Sequence, residues 1–184
     1  MIDTTKDWLV ASANLPWPLF TLDFEASGLG EFTYPIEIGV TRWAAPDAAI
    51  ETWSALIRPT DDWREHRPWH AASEAIHGIR PQQLEEGLTP AEALRRANEI
   101  VGTHFAFCDG GEHDLRWLMH LAHAAGFAPS FRLADWDSLG GALTREQYID
   151  MIWDLAVEPI LHRAGADAER LMRALARGVG IKPV

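Results

Sequence analysis

The chain has 184 residues, 47% hydrophobic and 23% charged, which fits one ordinary folded domain and excludes a disordered or low-complexity polymer. It has no run of about 18 apolar residues, the length a membrane-spanning helix needs. Its one cysteine, Cys108, excludes an internal disulfide and a cysteine-based zinc site and reads as a small buried residue.

A net charge of −11 argues against a broad duplex-binding surface, which works by neutralising many phosphates. It is compatible with a site that grips one strand end through bound divalent cations, which invert the local electrostatics. No apolar leader opens the chain, so cytoplasmic residence is the expectation. Residues 1–18, with Trp8, Pro16, Trp17 and Pro18, read as an irregular arm ahead of a domain over 19–184, since closely spaced prolines disfavour helix and central strand alike.

From Leu19 to Glu25, Phe20, Leu22 and Phe24 alternate with Thr21, Asp23 and Glu25, the pattern of a strand with one face in a core. Strands are expected again over Pro35 to Trp43 and Glu51 to Arg58, separated by an Ala-Ala-Pro-Asp turn, so that the first three form a meander. Thr89, Pro90 and Glu92 start a helix with a capping box, followed by Ala93, Leu94, Ala97, Ile100 and Val101 at helical spacing.

His104 to Cys108 reads as a short buried strand. The helix from about His113 to Ala125 presents Leu115, Leu118, Met119 and Ala122 and closes at Gly126. Phe131 to Trp136 is a fifth strand; Thr144 and Gln147 cap a helix that carries Ile149, Ile152 and Trp153 inward; a last helix runs from about Asp167 to Arg177, stopped by Gly178. Three strands followed by alternating helices and strands predict an α/β fold, a mixed five-stranded sheet flanked by helices.

Asp23 and Glu25 leave the same strand face with Cα atoms about 6.6 Å apart. Side-by-side carboxylates repel, and a cation is the usual relief; the plainer reading of the pair is a solvent-exposed face. Asp114 and Asp167 each read alone as helix-start acids favoured by the macrodipole, and His162 alone as either a helix C-terminal charge or a catalytic group. His104, His113, His120 and His123 crowd one stretch, where surface histidines on a helix are a simpler account than a zinc site.

Taken in order, the motifs resemble those of the DEDDh, DnaQ-like 3′→5′ exonucleases of the RNase H-like superfamily, over about Leu19 to Arg177. Leu22-Asp23-Phe24-Glu25-Ala26-Ser27-Gly28-Leu29 is similar to the first exonuclease motif, and Ile36-Glu37-Ile38-Gly39-Val40 to the strand that follows it. Ile76-His77-Gly78-Ile79 resembles the family's Ile-His-Gly-Ile segment. Phe107 to Leu118 is similar to the second motif, with Asp114 opening the helix, and His162-Arg163-Ala164-Gly165-Ala166-Asp167 to the third, HxAxxD. The chain departs from the second motif at Asp109-Gly110, where a His-Asn pair is common, and at His113, where a Phe is usual; these changes bear on substrate contacts more than on the metal site.

The resemblance implies an RNase H-like fold and a metal-dependent hydrolysis of phosphodiesters from the 3′ end of single-stranded DNA or RNA. Asp23, Glu25, Asp114 and Asp167 would hold two Mg²⁺ or Mn²⁺ ions and His162 would accept the proton of the attacking water. Phe24, Ala26, Ser27, Gly28 and Leu29 would contact the terminal nucleotide through backbone amides and an apolar wedge. His77 reads either as a core histidine bonded to backbone, the preferred role, or as a contact near the substrate.

Nine tryptophans could stack bases, though packing is the commoner use. Arg170, Arg173 and Arg177 share a helix face that either tracks phosphates or is simply solvated. Two other functions fit the sequence: a phosphodiesterase on dinucleotides or very short oligoribonucleotides, which the acidity favours, and a non-catalytic nucleic-acid-binding module, which the intact set of acids and His162 disfavours. Neither the sugar nor the oligomeric state is specified.

Overall fold

A computed structural model describes residues 15–182. β1 (Leu19–Ala26) is the middle strand of a five-stranded mixed sheet of order β3-β2-β1-β4-β5. β2 (Pro35–Trp43) and β3 (Ile50–Leu56) add antiparallel on one side, the expected meander; β4 (Phe105–Cys108) and β5 (Arg132–Asp135) add parallel on the other. β3 ends before Arg58 because Ile57 leaves it to bridge Leu88.

Among the described residues six helices are interleaved with these strands: α1 (Asp61–His66), α2 (Ala71–His77), α3 (Pro90–Val101), α4 (Glu112–Ala125), α5 (Arg145–Val157) and α6 (Ala164–Gly178), with 3₁₀ turns over Pro81–Glu86 and Trp136–Ala142. The caps read from sequence are present. Thr89 Oγ1 accepts from the Glu92 amide at 3.3 Å while Glu92 accepts from the Thr89 amide at 2.9 Å, and Thr144 and Gln147 repeat the exchange. The sheet, its helices and the element order make the RNase H-like α/β architecture that the motifs imply.

The two sheet faces build two apolar clusters. Phe20, Leu22 and Phe24 point to one, closed by Leu94 and Ala97 of α3 and Trp117, Leu118 and Leu121 of α4. On the other, Leu19, Trp43 and Phe107 pack with Leu171, Met172 and Leu175 of α6 and Met151 of α5. Each fully buried large side chain contributes about 1.5–3 kcal/mol, so these stripes fix which face of the sheet each helix covers.

Two expected inward faces are corrected. On α5 it is Met151 that is buried, whereas Ile149, Ile152 and Trp153 are exposed, Trp153 at 69%. On α4 the inward residues are Trp117, Leu118, Leu121 and Ala122, while Leu115 and Met119 face out. On α4 the expected Leu118 and Ala122 are buried and the expected Leu115 and Met119 are not; on α5 the phase differs altogether, because apolar residues occur on both faces of these helices. Of the expected N-terminal arm, residues 1–14, Trp8 included, lie outside the described residues; Leu15 is buried, and Trp17 meets Trp43 edge to face with ring centres 4.8 Å apart.

Candidate metal centre and active site

The alternation of β1 sends Thr21, Asp23 and Glu25 toward α6. Thr21 is buried and its hydroxyl donates to the Ala168 carbonyl at 2.6 Å, tying strand to helix. Gly39 pairs with Asp23 across the β1–β2 ladder, and a Cβ there would lie 2.2 Å from the Ala164 backbone. Gly39 therefore lets the first turn of α6 lie directly on the sheet beside the β1 acids. From the other side, α4 begins just past the end of β4, at the carboxyl ends of the parallel strands where open α/β sheets bind ligands. Gly110 closes that turn, its amide donating to Asp114 at 3.1 Å; a Cβ on it would lie 2.5 Å from the same carboxylate oxygen.

These elements gather two neighbouring groups, Glu25 with His162 and Asp167, and Asp23 with Asp109 and Asp114, each with ligand atoms within 4.8 Å of one another. Asp23 and Glu25, neighbours on one strand face, thus belong to separate groups. Burial pushes the Asp23 carboxyl well above the usual range, and the Asp114, Glu25, Asp109 and Asp167 charges push it further. Glu25 is raised to about 8 by burial, then by Asp167 and Glu37, against a lowering by Arg163. Asp114 is raised to about 7, chiefly by burial. Asp109 is raised as well, first by desolvation, although the residue as a whole is exposed at the rim.

Carboxyls with folded pKa values above their unfolded ones hold protons that the unfolded chain releases. Their stabilising contribution is full below about pH 4, the ordinary carboxylate range, and is lost as pH rises through about 7 for Asp114 and about 8 for Glu25. The metal-free chain should therefore melt at a lower temperature at pH 9 than at pH 5. One unit of net shift is worth about 1.4 kcal/mol, or roughly 3–6 °C at this size, so a fall of at least several degrees is expected in EDTA, reduced by saturating Mg²⁺. A melting temperature that rises over this interval in EDTA contradicts the crowding of these carboxyls.

His162 stands in the loop ahead of α6 with φ +52°, a left-handed conformation uncommon for a residue other than glycine. The amides on either side of it hold it there: Leu161 donates to one Asp167 carboxylate oxygen and Arg163 to the other, both at 3.1 Å. Each oxygen keeps a further lone pair free for a cation. Buried Glu37 then anchors the loop to β2. It accepts from Arg163 Nε at 3.0 Å, Arg163 Nη2 at 2.7 Å and the Ala164 amide at 3.0 Å. Glu37 faces Glu25 across the ladder, so the residue that positions His162 sits beside one of the acids His162 joins.

Glu37→Gln should cost about 1–3 kcal/mol of stability, as buried charge-assisted hydrogen bonds do when weakened. It should also lower kcat about tenfold or more through misplacement of His162. Denaturant melts and turnover measured on the same preparation check both; unchanged turnover would show that the clamp does not act through His162.

The expected substrate contacts are placed unequally. Leu29 is 65% exposed, and Phe32 beside it 68%. Gly28 lies under His70, whose ring a Cβ would approach to 2.7 Å. Phe24 and Ala26 are core residues. Ser27 is fully buried: its hydroxyl accepts from the Tyr34 amide at 3.1 Å and its carbonyl from the His70 amide at 2.8 Å, closing the β1–β2 loop. His77 is 6% exposed and its Nδ1 accepts from the Ile79 amide at 3.0 Å; burial holds its pKa below the ordinary value, against a raising by Glu74 and by a hydrogen bond to the Ala26 backbone. An imidazole accepting at Nδ1 and kept neutral presents Nε2–H as a donor.

The arginines of α6 bind the protein itself. Arg177 pairs with Asp154 and Glu158, Arg173 with Glu169, and Arg170 donates to the Leu155 carbonyl at 2.8 Å. His104 stacks on Phe20 and His113 lies against Trp117, and neither joins the groups of metal-ligating side chains found among the described residues. Cys108 is buried, its thiol pushed up by desolvation and 3.7 Å from the Ala134 carbonyl.

Sequence reasoning treated Asp109 as a departure from pattern and left Glu37 and Arg163 without roles. Asp109 follows directly on a buried strand next to β1, a position that could have signalled it. The Glu37–Arg163 pair spans 126 residues and leaves no local trace.

No family model matches the chain, and no curated protein matches it in sequence. Solved structures do match its fold. The metal-free form of the E. coli ExoI–ssDNA complex superposes with TM-score 0.60 at 15% identity, over 88% of this chain and 40% of that one. A 3′-exonuclease solved in 3′-end specific recognition of a histone mRNA stem-loop gives 0.64 at 13% identity, over 90% of this chain and 65% of that one. Exonuclease X with 5′ overhanging duplex DNA gives 0.57 at 17% identity, over 88% and 90%. The chain thus spans less than two thirds of the first two proteins. Among the described residues no helix is long and apolar enough to cross a membrane. The chain has the RNase H-like α/β fold, which these solved structures share.

Proposed function

We propose that the chain is a divalent-metal-dependent 3′→5′ exonuclease that hydrolyses the terminal phosphodiester of single-stranded DNA or RNA and releases nucleoside monophosphates. The observation that carries this reading is the joining of Glu25, His162 and Asp167 with Asp23, Asp109 and Asp114 at the carboxyl ends of parallel strands. Crowded, partly buried carboxylates at raised pKa are costly for a fold to keep without a cation. Binding alone needs no such constellation, which disfavours a non-catalytic module.

The donor set fits a hard divalent ion: clustered carboxylate oxygens suit Mg²⁺ or Mn²⁺. A pair of such ions, held by Asp23, Glu25, Asp114 and Asp167, would neutralise the phosphate, acidify the attacking water and stabilise the leaving oxygen. Asp109 adds a further carboxylate to the Asp23 group.

The chain's own residues do the rest. His162 accepts the proton of the attacking water, the general-base role that an imidazole most often fills. Asp167, through the Leu161 and Arg163 amides, and Glu37, through Arg163, fix the ring's approach. Exposed Leu29 offers the terminal base an apolar edge.

The net charge of −11 also favours short substrates, which need few phosphate contacts, so a phosphodiesterase on dinucleotides is the second reading. Turnover of a dinucleotide, a 5-mer and a 20-mer of DNA and of RNA ranks the two, with the product identified by chromatography. Nucleoside 5′-monophosphate released from the 3′ end at every length supports the exonuclease. Turnover confined to the dinucleotide favours the second reading, and endonucleolytic fragments sink both.

A further inference from the structure

On the outward side of α4 from the acidic groups, Arg116, His120 and His123 follow at helical spacings of four and three and share one face. Arg67, just past the end of α1, closes on them with Nη1 3.2 Å from His120 Nδ1. That nitrogen also lies 2.8 Å from the Thr33 carbonyl. One ring nitrogen carries either a proton or a lone pair. If it donates to Thr33, the shorter contact, it cannot accept from Arg67, and the guanidinium faces an N–H.

Among the described residues no carboxylate forms an ion pair with Arg67, Arg116, His120 or His123; Arg58, Arg80, Arg95, Arg132, Arg145 and Arg170 likewise have none, while Arg42, Arg64, Arg96, Arg163, Arg173 and Arg177 each have one. Burial lowers the pKa of His120, and Arg67, Arg116 and His123 lower it further. On a chain of net charge −11, Arg67 and Arg116 thus both stand near a neutral His120, neither of them paired with a carboxylate.

The cluster is joined to the loop that carries the exposed apolar side chains. Besides the His120 contact, Trp117 Nε1 donates to Thr33 Oγ1 at 3.1 Å and Thr33 Oγ1 donates to the Gly30 carbonyl at 2.6 Å. Leu29 and Phe32 lie on the two sides of Gly30, both exposed. His120 is six residues along α4 from Asp114, about 9 Å at 1.5 Å per residue. Cationic and apolar groups side by side suit a polymer whose charged backbone alternates with flat bases; an acidic peptide would leave Phe32 and Leu29 unused.

We propose that Arg67, Arg116, His120 and His123 form a phosphate-binding site for the single strand upstream of its 3′-terminal nucleotide, with Phe32 receiving an unstacked base. The site rests on the nuclease reading, and it explains how an acidic chain holds a strand while its acidic centre repels it. The two cationic arginines grip the backbone and the α4–loop hydrogen bonds keep that grip in register with Leu29.

The test is fluorescence anisotropy of a 5′-labelled single-stranded 10-mer in Ca²⁺, with the unmodified chain, the double variant Arg67→Gln/Arg116→Gln and the conservative Arg67→Lys/Arg116→Lys. The glutamine pair should weaken binding at least tenfold and reduce the slope of log K against log salt by about 0.7 per cation removed. The lysine pair should restore most of both. Equal affinity and equal salt slope in the glutamine pair would overturn the site, as would polyglutamate of matched charge competing as well as a second oligonucleotide. Hydrolysis of the p-nitrophenyl ester of thymidine 5′-monophosphate by the unmodified chain with Mg²⁺ reports on the acidic centre separately. Its absence counts against the nuclease reading, while the anisotropy result still decides the patch.

Discussion

Replacing Asp23 with asparagine is expected to abolish metal-dependent hydrolysis and at the same time to raise the melting temperature of the metal-free chain. Asp23 sits on β1, hemmed in by the Asp114, Glu25, Asp109 and Asp167 charges, and is raised by burial before any of them. In the absence of a cation each neighbour repels it, so an isosteric neutral side chain relieves the repulsion without opening a cavity. With a cation the same carboxylate would be a ligand, and an amide oxygen binds Mg²⁺ far less well than a charged one. The two effects have opposite signs and one cause. Melting curves in EDTA at pH 8 and single-turnover hydrolysis in Mg²⁺ measure them on one sample. A destabilised, inactive variant would mean that Asp23 serves the fold; a stabilised variant with full activity would remove it from the metal site.

His162→Ala should leave cation binding largely intact and lower kcat by about two to four powers of ten, the usual worth of a positioned general base. The imidazole is half-exposed at the end of its loop, bracketed by amides that bind Asp167. Those bonds come from the backbone and survive the substitution, and alanine also accepts the loop conformation poorly, so a small stability loss is expected alongside. Titration calorimetry with Mn²⁺ separates binding from chemistry. Rescue by free imidazole, together with loss of the acid limb of the pH–rate profile, would identify the missing function as proton transfer. Unchanged turnover removes the base.

Much of the site was legible because its residues sit at points of local pattern. Asp23 and Glu25 interrupt an alternating strand, and Asp114 opens a helix with an apolar stripe. Asp167 was read as opening a helix too, but α6 begins at Ala164. Ala164-Gly165-Ala166 carries no apolar period, and glycine is a poor helix former. It is tolerated there because a Cβ on Gly165 would lie 2.8 Å from Ser54, so the helix needs small residues to approach the sheet. α1 and α2, at six and seven residues, are too short for a hydrophobic period to be counted. The exposed side of α5 was misread for the opposite reason: apolar residues all round leave the phase undetermined until the packing against α6 selects Met151. The positioning of His162 by Glu37 depends on two segments far apart in sequence, which no spacing rule joins.

The most direct measurement is incubation of the chain with 5′-labelled single-stranded DNA and RNA in Mg²⁺ and in excess EDTA, followed over time on a sequencing gel. A ladder shortening one nucleotide at a time from the 3′ end, present with Mg²⁺, absent with EDTA and restored when Mg²⁺ is added back, is the expected result. An intact strand in Mg²⁺, or the same ladder in EDTA, contradicts a metal-dependent exonuclease built on these carboxylates.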